Sequence, residues 1–151
     1  LLADDVSRYS ALMAASQSFI AADILDAYPF ARHKRLLDIG GGAGAFLIAA
    51  LQRHRHLEGV LFDLPAVGDI ARDAIARAGF SARVRIAGGD FYRDRLPEGC
   101  DAATLVRVIH DHDDDKALSI LKTAYAALRP SGVLILAEPM AEAAGAKAMG
   151  N

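Results

Sequence analysis

The chain has 151 residues, 53% of them apolar, with a formal net charge of −2 at pH 7. That length supports one domain with its own core, and the near balance of charge argues against nucleic acid as the main partner. No apolar run reaches the ~18 residues of a membrane helix, and the single Cys100 excludes an internal disulfide and a cysteine-based zinc site while fitting a reducing cytoplasm.

The opening LLADD lacks the charged and apolar regions of a signal peptide. With no initiator methionine and an end at the loop-like KAMGN, the chain reads as a piece of a longer protein. Residues 4–27 predict a helix capped by Asp4 or Asp5, with Leu12, Ala15, Phe19, Ala22 and Leu25 on one face. From residue 35, short apolar runs alternate with amphipathic stretches. The runs at 35–40, 59–64, 83–89, 102–109 and 133–139 are rich in Val, Ile and Leu and predict strands buried on both faces.

Helices are expected between them. One follows the glycines at 40–44. A second carries Val67, Ile70, Ala71, Ala74, Ile75 and Ala78 at a 3.6 period and stops at Gly79. A third carries Leu118, Leu121, Tyr125 and Leu128, and Arg129 to Gly132 turn the chain out of it. The basic clusters His33–Arg35 and Arg53–His56 are expected at solvated helix or loop ends. Strand and helix in alternation give right-handed βαβ units and a parallel sheet. Ligands of such sheets bind beyond the carboxyl ends of the strands, so those ends are where function is read.

The first strand ends in Asp38-Ile39-Gly40-Gly41-Gly42-Ala43-Gly44. Gly40, Gly42 and Ala45 satisfy a dinucleotide fingerprint. Asp38 favours a different cofactor, because a carboxylate beside the turn would repel a pyrophosphate. It suits the cationic S-adenosylmethionine. The second strand ends at Asp63, 23 residues after Gly40, where a carboxylate accepts ribose hydroxyls of either cofactor; Leu64 follows it. The third ends in Gly88-Gly89-Asp90-Phe91, a carboxylate for an adenine amino group and a ring to pack on the base.

The fourth strand leads through Arg107 into His110-Asp111-His112 and three further aspartates. A metal site is disfavoured, because adjacent residues rarely converge on one ion. One of Asp113, Asp114 and Asp115 is expected to cap the next helix. Imidazole titrates near neutrality, so His110 is the candidate general base. Glu138, ending the fifth strand, can hold its tautomer. Asp111 is expected at the acceptor hydroxyl.

The order DIGGGAG, FDLP, GGDF, IHDHDD and LRPSG-VLILAEP resembles the plant caffeate-type, S-adenosylmethionine-dependent O-methyltransferases and their bacterial relatives, over roughly residues 8 to 140. The resemblance implies an α/β, Rossmann-like class I methyltransferase fold, with a parallel sheet in the order 3-2-1-4-5. It implies catalytic roles for His110, Glu138 and Asp111. It implies cofactor contacts at Asp38, Gly40, Gly42, Asp63, Leu64, Asp90, Phe91 and Arg107, and a pocket wall at Met13, Ser16 and Gln17. The expected domains are a helical segment, 1–30, leading from an N-terminal dimerisation domain of a homodimer, and a cofactor domain, 31–151, whose last antiparallel strand pair would lie beyond Asn151. His112 stands where the family usually has tryptophan. LVRVIHDHDDD is most similar to bacterial enzymes that methylate a tertiary carotenoid hydroxyl, with phenolic natural products as the other acceptor class. The rival readings are an NAD(P)-dependent oxidoreductase, which Asp38 opposes; an amine methyltransferase, which lacks its usual Asn/Asp-Pro-Pro-aromatic turn here; and a non-catalytic cofactor-binding relative.

Overall fold

The computed structural model of the chain describes residues 2–139. Its five strands are β1 (Arg35–Ile39), β2 (Glu58–Asp63), β3 (Val84–Gly88), β4 (Cys100–Val106) and β5 (Leu128–Ala137). Its helices are α1 (Leu2–Ala27), α2 (Ala45–Arg53), α3 (Pro65–Arg77) and α4 (Asp114–Ala127). The strands form one sheet in the order β3-β2-β1-β4-β5, every adjacent pair parallel. This is the order the resemblance implied.

Alternation along the strands divides the core between the two faces of the sheet. Leu36, Leu61 and Ala102 pack with Ala21, Leu25, Leu47, Ala50, Ala71 and Ile75 of α1, α2 and α3. Leu37, Ile39, Val60, Phe62, Ala103 and Leu105 pack with Ile120, Ala124 and Ala127 of α4. With helices on both faces, nearly every inner strand position is apolar, as a buried parallel sheet requires.

Two helix faces differ from the periodicity and one largely follows it. In α1, Leu12 and Phe19 are exposed, and the buried contacts are Ala21 and Leu25. In α3 the expected face holds, with Ala71 and Ile75 buried beside Gly68 and with Val67, Ala74 and Ala78 half-buried, and only Ile70 is exposed. In α4, Leu118 and Tyr125 are exposed, and Ile120, Ala124 and Ala127 make the contact. In α3 and α4 the inward stripe is made largely of alanine and glycine, so the helix backbones approach the sheet closely. Large side chains one step round the helix are left outside. Asp4 and Asp5 lie in the first turn of α1 rather than capping it. Asp113 does cap α4, its carboxylate accepting the Lys116 N–H at 2.9 Å.

Of the basic cluster His33–Arg35, Lys34 and Arg35 are exposed as expected, but His33 is not. His33 is buried; its Nε2 meets the Tyr28 hydroxyl at 2.7 Å and its Nδ1 meets Asp101 Oδ2 at 3.2 Å. Asp101 also accepts the N–H groups of Lys34 and Arg35. Burial pushes its carboxyl up, but these hydrogen bonds outweigh it and hold the group below its ordinary range. The trio ties the end of α1 to the starts of β1 and β4. The turn expected at 129–132 is a bulge inside β5: Ser131 has φ 67°, and the register jumps from Cys100↔Leu128 to Ala102↔Val133. Strand β4 ends at Val106, three residues before the predicted end, and Ile109–Asp111 form a 3-10 turn.

Candidate active site

A cleft of about 370 Å³ opens at the carboxyl ends of β1 and β4. Its walls are Ser16, Gln17 and Ile20 of α1, the glycine turn after β1, and Arg107, His110 and Asp111 after β4. Asp38, Gly40, Gly42, Arg107, His110, Asp111, Ser16 and Gln17 therefore meet around one space. Asp63, Leu64, Asp90 and Phe91 are outside its lining. The side chain of Met13 lies outside the described residues.

The glycine turn is shaped by close approach. Gly40 has φ 68°, a conformation costly to a residue with a side chain. A Cβ at Gly41 would sit 2.8 Å from Asp38 Oδ2 and 2.9 Å from Leu61 Cδ1. Asp63 closes the turn. Its Oδ2 accepts the Gly42 N–H at 2.9 Å and its Oδ1 the Leu64 N–H at 2.7 Å. Each oxygen keeps a further lone pair for a hydroxyl.

Asp38 is 1% exposed at the floor of the cleft. It pairs with Thr104 across the β1/β4 ladder, and Oδ1 accepts the Thr104 hydroxyl at 2.8 Å. Its Oδ2 is buried with no partner among the described residues. Burial drives its pKa from 3.8 to about 7; the Thr104 hydrogen bond opposes the rise and the charge of Asp63 adds to it.

After β3, Asp90 Oδ1 accepts the Tyr92 N–H at 2.8 Å, and the Asp90 N–H donates to Asp94 Oδ2 at 2.8 Å. The turn leaves Asp90 Oδ2 without a protein donor among the described hydrogen bonds. Phe91 is half-buried, its ring 3.8 Å from where a Gly40 Cβ would stand and edge-on to Tyr92 and His112. The Tyr92 hydroxyl is hydrogen-bonded to His112 Nδ1. This aromatic cluster joins the loops after β3 and β4. Tyr92 was not singled out from the sequence; its place directly after Asp90-Phe91 was the available signal.

After β4 the chain turns sharply at Arg107, φ 55°, whose N–H still donates to Ala137 O at 2.8 Å. Glu138, at the end of the neighbouring β5, then takes over. Its Oε1 accepts the N–H groups of Val108 at 2.8 Å and Ile109 at 2.7 Å, and its Oε2 lies 2.7 Å from His110 Nδ1. A carboxylate only accepts, so Nδ1 carries the proton it donates. The basic lone pair is thereby placed on Nε2. Asp111 Oδ1 is 3.1 Å from Nε2, with its side chain 70% exposed. It can take a hydrogen bond from Nε2 once that atom is protonated.

Residues 3–150 match the family model of an O-methyltransferase domain. The chain is 41% identical over 134 residues to demethylspheroidene O-methyltransferase of Cereibacter sphaeroides, covering 89% of this chain and 35% of that protein. It is 41% identical over 105 residues to 3-hydroxy-5-methyl-1-naphthoate 3-O-methyltransferase of Streptomyces sahachiroi, covering 70% of this chain and 30% of that protein. It spans about a third of the length of the curated relatives it matches. Among solved structures, mitomycin 7-O-methyltransferase MmcR superposes with a TM-score of 0.82 at 30% identity, over 89% of this chain and 40% of that one. Human N-acetylserotonin methyltransferase in complex with SAM superposes with a TM-score of 0.74 at 27% identity, over 85% of this chain and 36% of that one.

Proposed function

The chain belongs to the O-methyltransferase domain family, and from that premise we propose that it binds S-adenosylmethionine and moves its methyl group to a hydroxyl of a hydrophobic small molecule, with His110 as general base. The observation that carries this reading is the 2.7 Å contact between Glu138 and His110 Nδ1, which leaves Nε2 basic at the wall of the cleft.

The residues fit the cofactor. A pyrophosphate would need free N–H donors at the glycine turn, yet the Gly42 N–H is already held by the Asp63 carboxylate. The same carboxylate suits ribose hydroxyls. The unpartnered Oδ2 of Asp38 under the turn favours positive charge above it. These features oppose an NAD(P)-dependent oxidoreductase. Asp90 and Phe91 serve the adenine, with Leu64 beside the ribose.

Bound S-adenosylmethionine supplies a methyl group already activated on a sulfonium. The protein's part is placement, proton removal and exclusion of water. Ser16 and Gln17 of α1 wall the acceptor side of the cleft. Nε2 of His110 takes the hydroxyl proton as the acceptor oxygen attacks, and Glu138 stabilises the resulting imidazolium through Nδ1. Asp111 takes the new Nε2–H. An aliphatic alcohol, far less acidic than a phenol, depends on this base more heavily.

For the acceptor we favour a tertiary carotenoid alcohol, supported by the 41% identity over 89% of the chain to the demethylspheroidene enzyme. The naphthoate enzyme, equally identical over a shorter span, supports a phenol as the second reading. The place of action is the cytoplasm, and the working unit is a homodimer joined through an N-terminal domain that leads into α1. The test is transfer of a labelled methyl group from S-adenosylmethionine to hydroxylated carotenoids and, separately, to hydroxynaphthoates, using a protein that contains this chain. Transfer that is lost in His110→Ala supports the reading, and hydride transfer from NADH in its place contradicts it.

A further inference from the structure

One carboxylate fixes three consecutive residues at the mouth of the cleft. Glu138 accepts the amides of Val108 and Ile109 through Oε1 and holds His110 through Oε2. The residue just before them, Arg107, has φ 55°. An arginine there is strained, and such a conformation persists only where its surroundings hold it. The preceding rung, Arg107 N–H to Ala137 O at 2.8 Å, fixes one side of the turn. Glu138 fixes the other, drawing two successive amides onto one oxygen.

Arg107 lines the cleft together with the glycine turn and Asp38. None of the ion pairs among the described residues involves its guanidinium. The amino-acid end of S-adenosylmethionine carries a carboxylate, whose planar pair of oxygens matches a guanidinium fork. This match rests on the cofactor reading above.

We propose that Glu138 is a positioning residue for the cofactor as well as for the base: by holding the amides of Val108 and Ile109 it keeps Arg107 in its left-handed turn and directs the guanidinium to the cofactor's carboxylate. A glutamate that served only His110 would leave the affinity for the cofactor product untouched.

The experiment compares two probes by calorimetry on this chain. S-adenosylhomocysteine carries the carboxylate, and 5′-methylthioadenosine lacks it. Arg107→Gly tolerates the turn but removes the guanidinium, and should weaken S-adenosylhomocysteine about tenfold or more while leaving methylthioadenosine within about twofold. Glu138→Ala should give the same selective loss, and Glu138→Ala in the Arg107→Gly background should add almost nothing. Glu138→Gln keeps an oxygen for the two amides and should bind both probes as the unsubstituted chain does. Equal loss of both probes in Glu138→Ala, or independent losses that multiply in the double variant, overturns the proposal. So does unchanged binding of S-adenosylhomocysteine by Glu138→Ala. If the unsubstituted chain binds methylthioadenosine but not S-adenosylhomocysteine, the cofactor reading itself fails and takes this inference with it.

Discussion

Glu138 and His110 meet at 2.7 Å across the ends of neighbouring strands, although 28 residues separate them in the chain. The contact assigns the imidazole tautomer, because only Nδ1–H can face a carboxylate. Replacing Glu138 by Gln offers Nδ1 an amide N–H instead, since the amide oxygen is engaged by two backbone donors. The proton then moves to Nε2, and on the proposed mechanism His110 can no longer accept the hydroxyl proton. Turnover should fall by about 10²- to 10⁴-fold in Glu138→Gln and in His110→Ala, and no further in the double variant. Single-turnover methyl transfer measures this.

Asp38 makes stability depend on pH in an unusual direction for a carboxylate. Its pKa is about 7 in the fold against an ordinary 3.8, so the folded chain binds a proton that the unfolded chain releases. The full contribution is present below about pH 4 and is lost progressively as the pH rises to about 7, by up to roughly 4 kcal/mol. Asp38→Asn should flatten this dependence and be the more stable protein at pH 8. Urea denaturation at pH 5.5 and pH 8 tests it. A bound cation should favour the charged form, so S-adenosylmethionine should release protons as it binds near pH 6.

Arg83 closes the end of α2. Its Nη2 donates to the carbonyls of Leu51, His54 and Leu57 at 3.2, 2.7 and 2.8 Å, and its Nε donates to Leu57 O. These oxygens lie at and just beyond the helix terminus, where a cation is favourable. Arg83→Met keeps the stem and removes the donors. It should cost about 2 kcal/mol in urea denaturation, with the cleft 3-10 turn and its ligand affinity unaffected.

Gly41→Ala puts a methyl group 2.8 Å from Asp38 Oδ2 and 2.9 Å from Leu61 Cδ1. Leu61 is fully buried and Asp38 is pinned to Thr104, so neither yields easily. The substitution should cost about 1–3 kcal/mol and weaken S-adenosylhomocysteine by displacing the turn. Thermal unfolding and calorimetry together check both effects.

The strand ends were legible because turn residues and buried runs punctuate the chain plainly. Asp38, the glycines, Asp63 and His110 all stand where a parallel sheet delivers them. An aspartate cap among Asp113–Asp115 and Pro65 at the start of α3 follow from local chemistry, and the structure selects Asp113 as the cap. Helix faces were less legible. In α4, Leu118, Leu121 and Tyr125 offer one stripe and Ile120, Ala124 and Ala127 another, and the fold buries the second, leaves Leu118 and Tyr125 outside and half-buries Leu121 at the edge. Contacts between a side chain and distant backbone were not legible at all. Nothing in the composition of Arg83 or Glu138 says that one closes α2 and the other holds two amides after β4. The same is true of His33, which a run of basic residues made look solvated while Asp101, far along the chain, receives it.

The most direct test of the account is calorimetric titration of this chain with S-adenosylhomocysteine, and separately with NADH, alongside Asp63→Ala. Asp63 holds the glycine turn and keeps lone pairs for the ribose, so the account predicts micromolar binding of S-adenosylhomocysteine that Asp63→Ala abolishes, and no binding of NADH. Binding of NADH alone would contradict it.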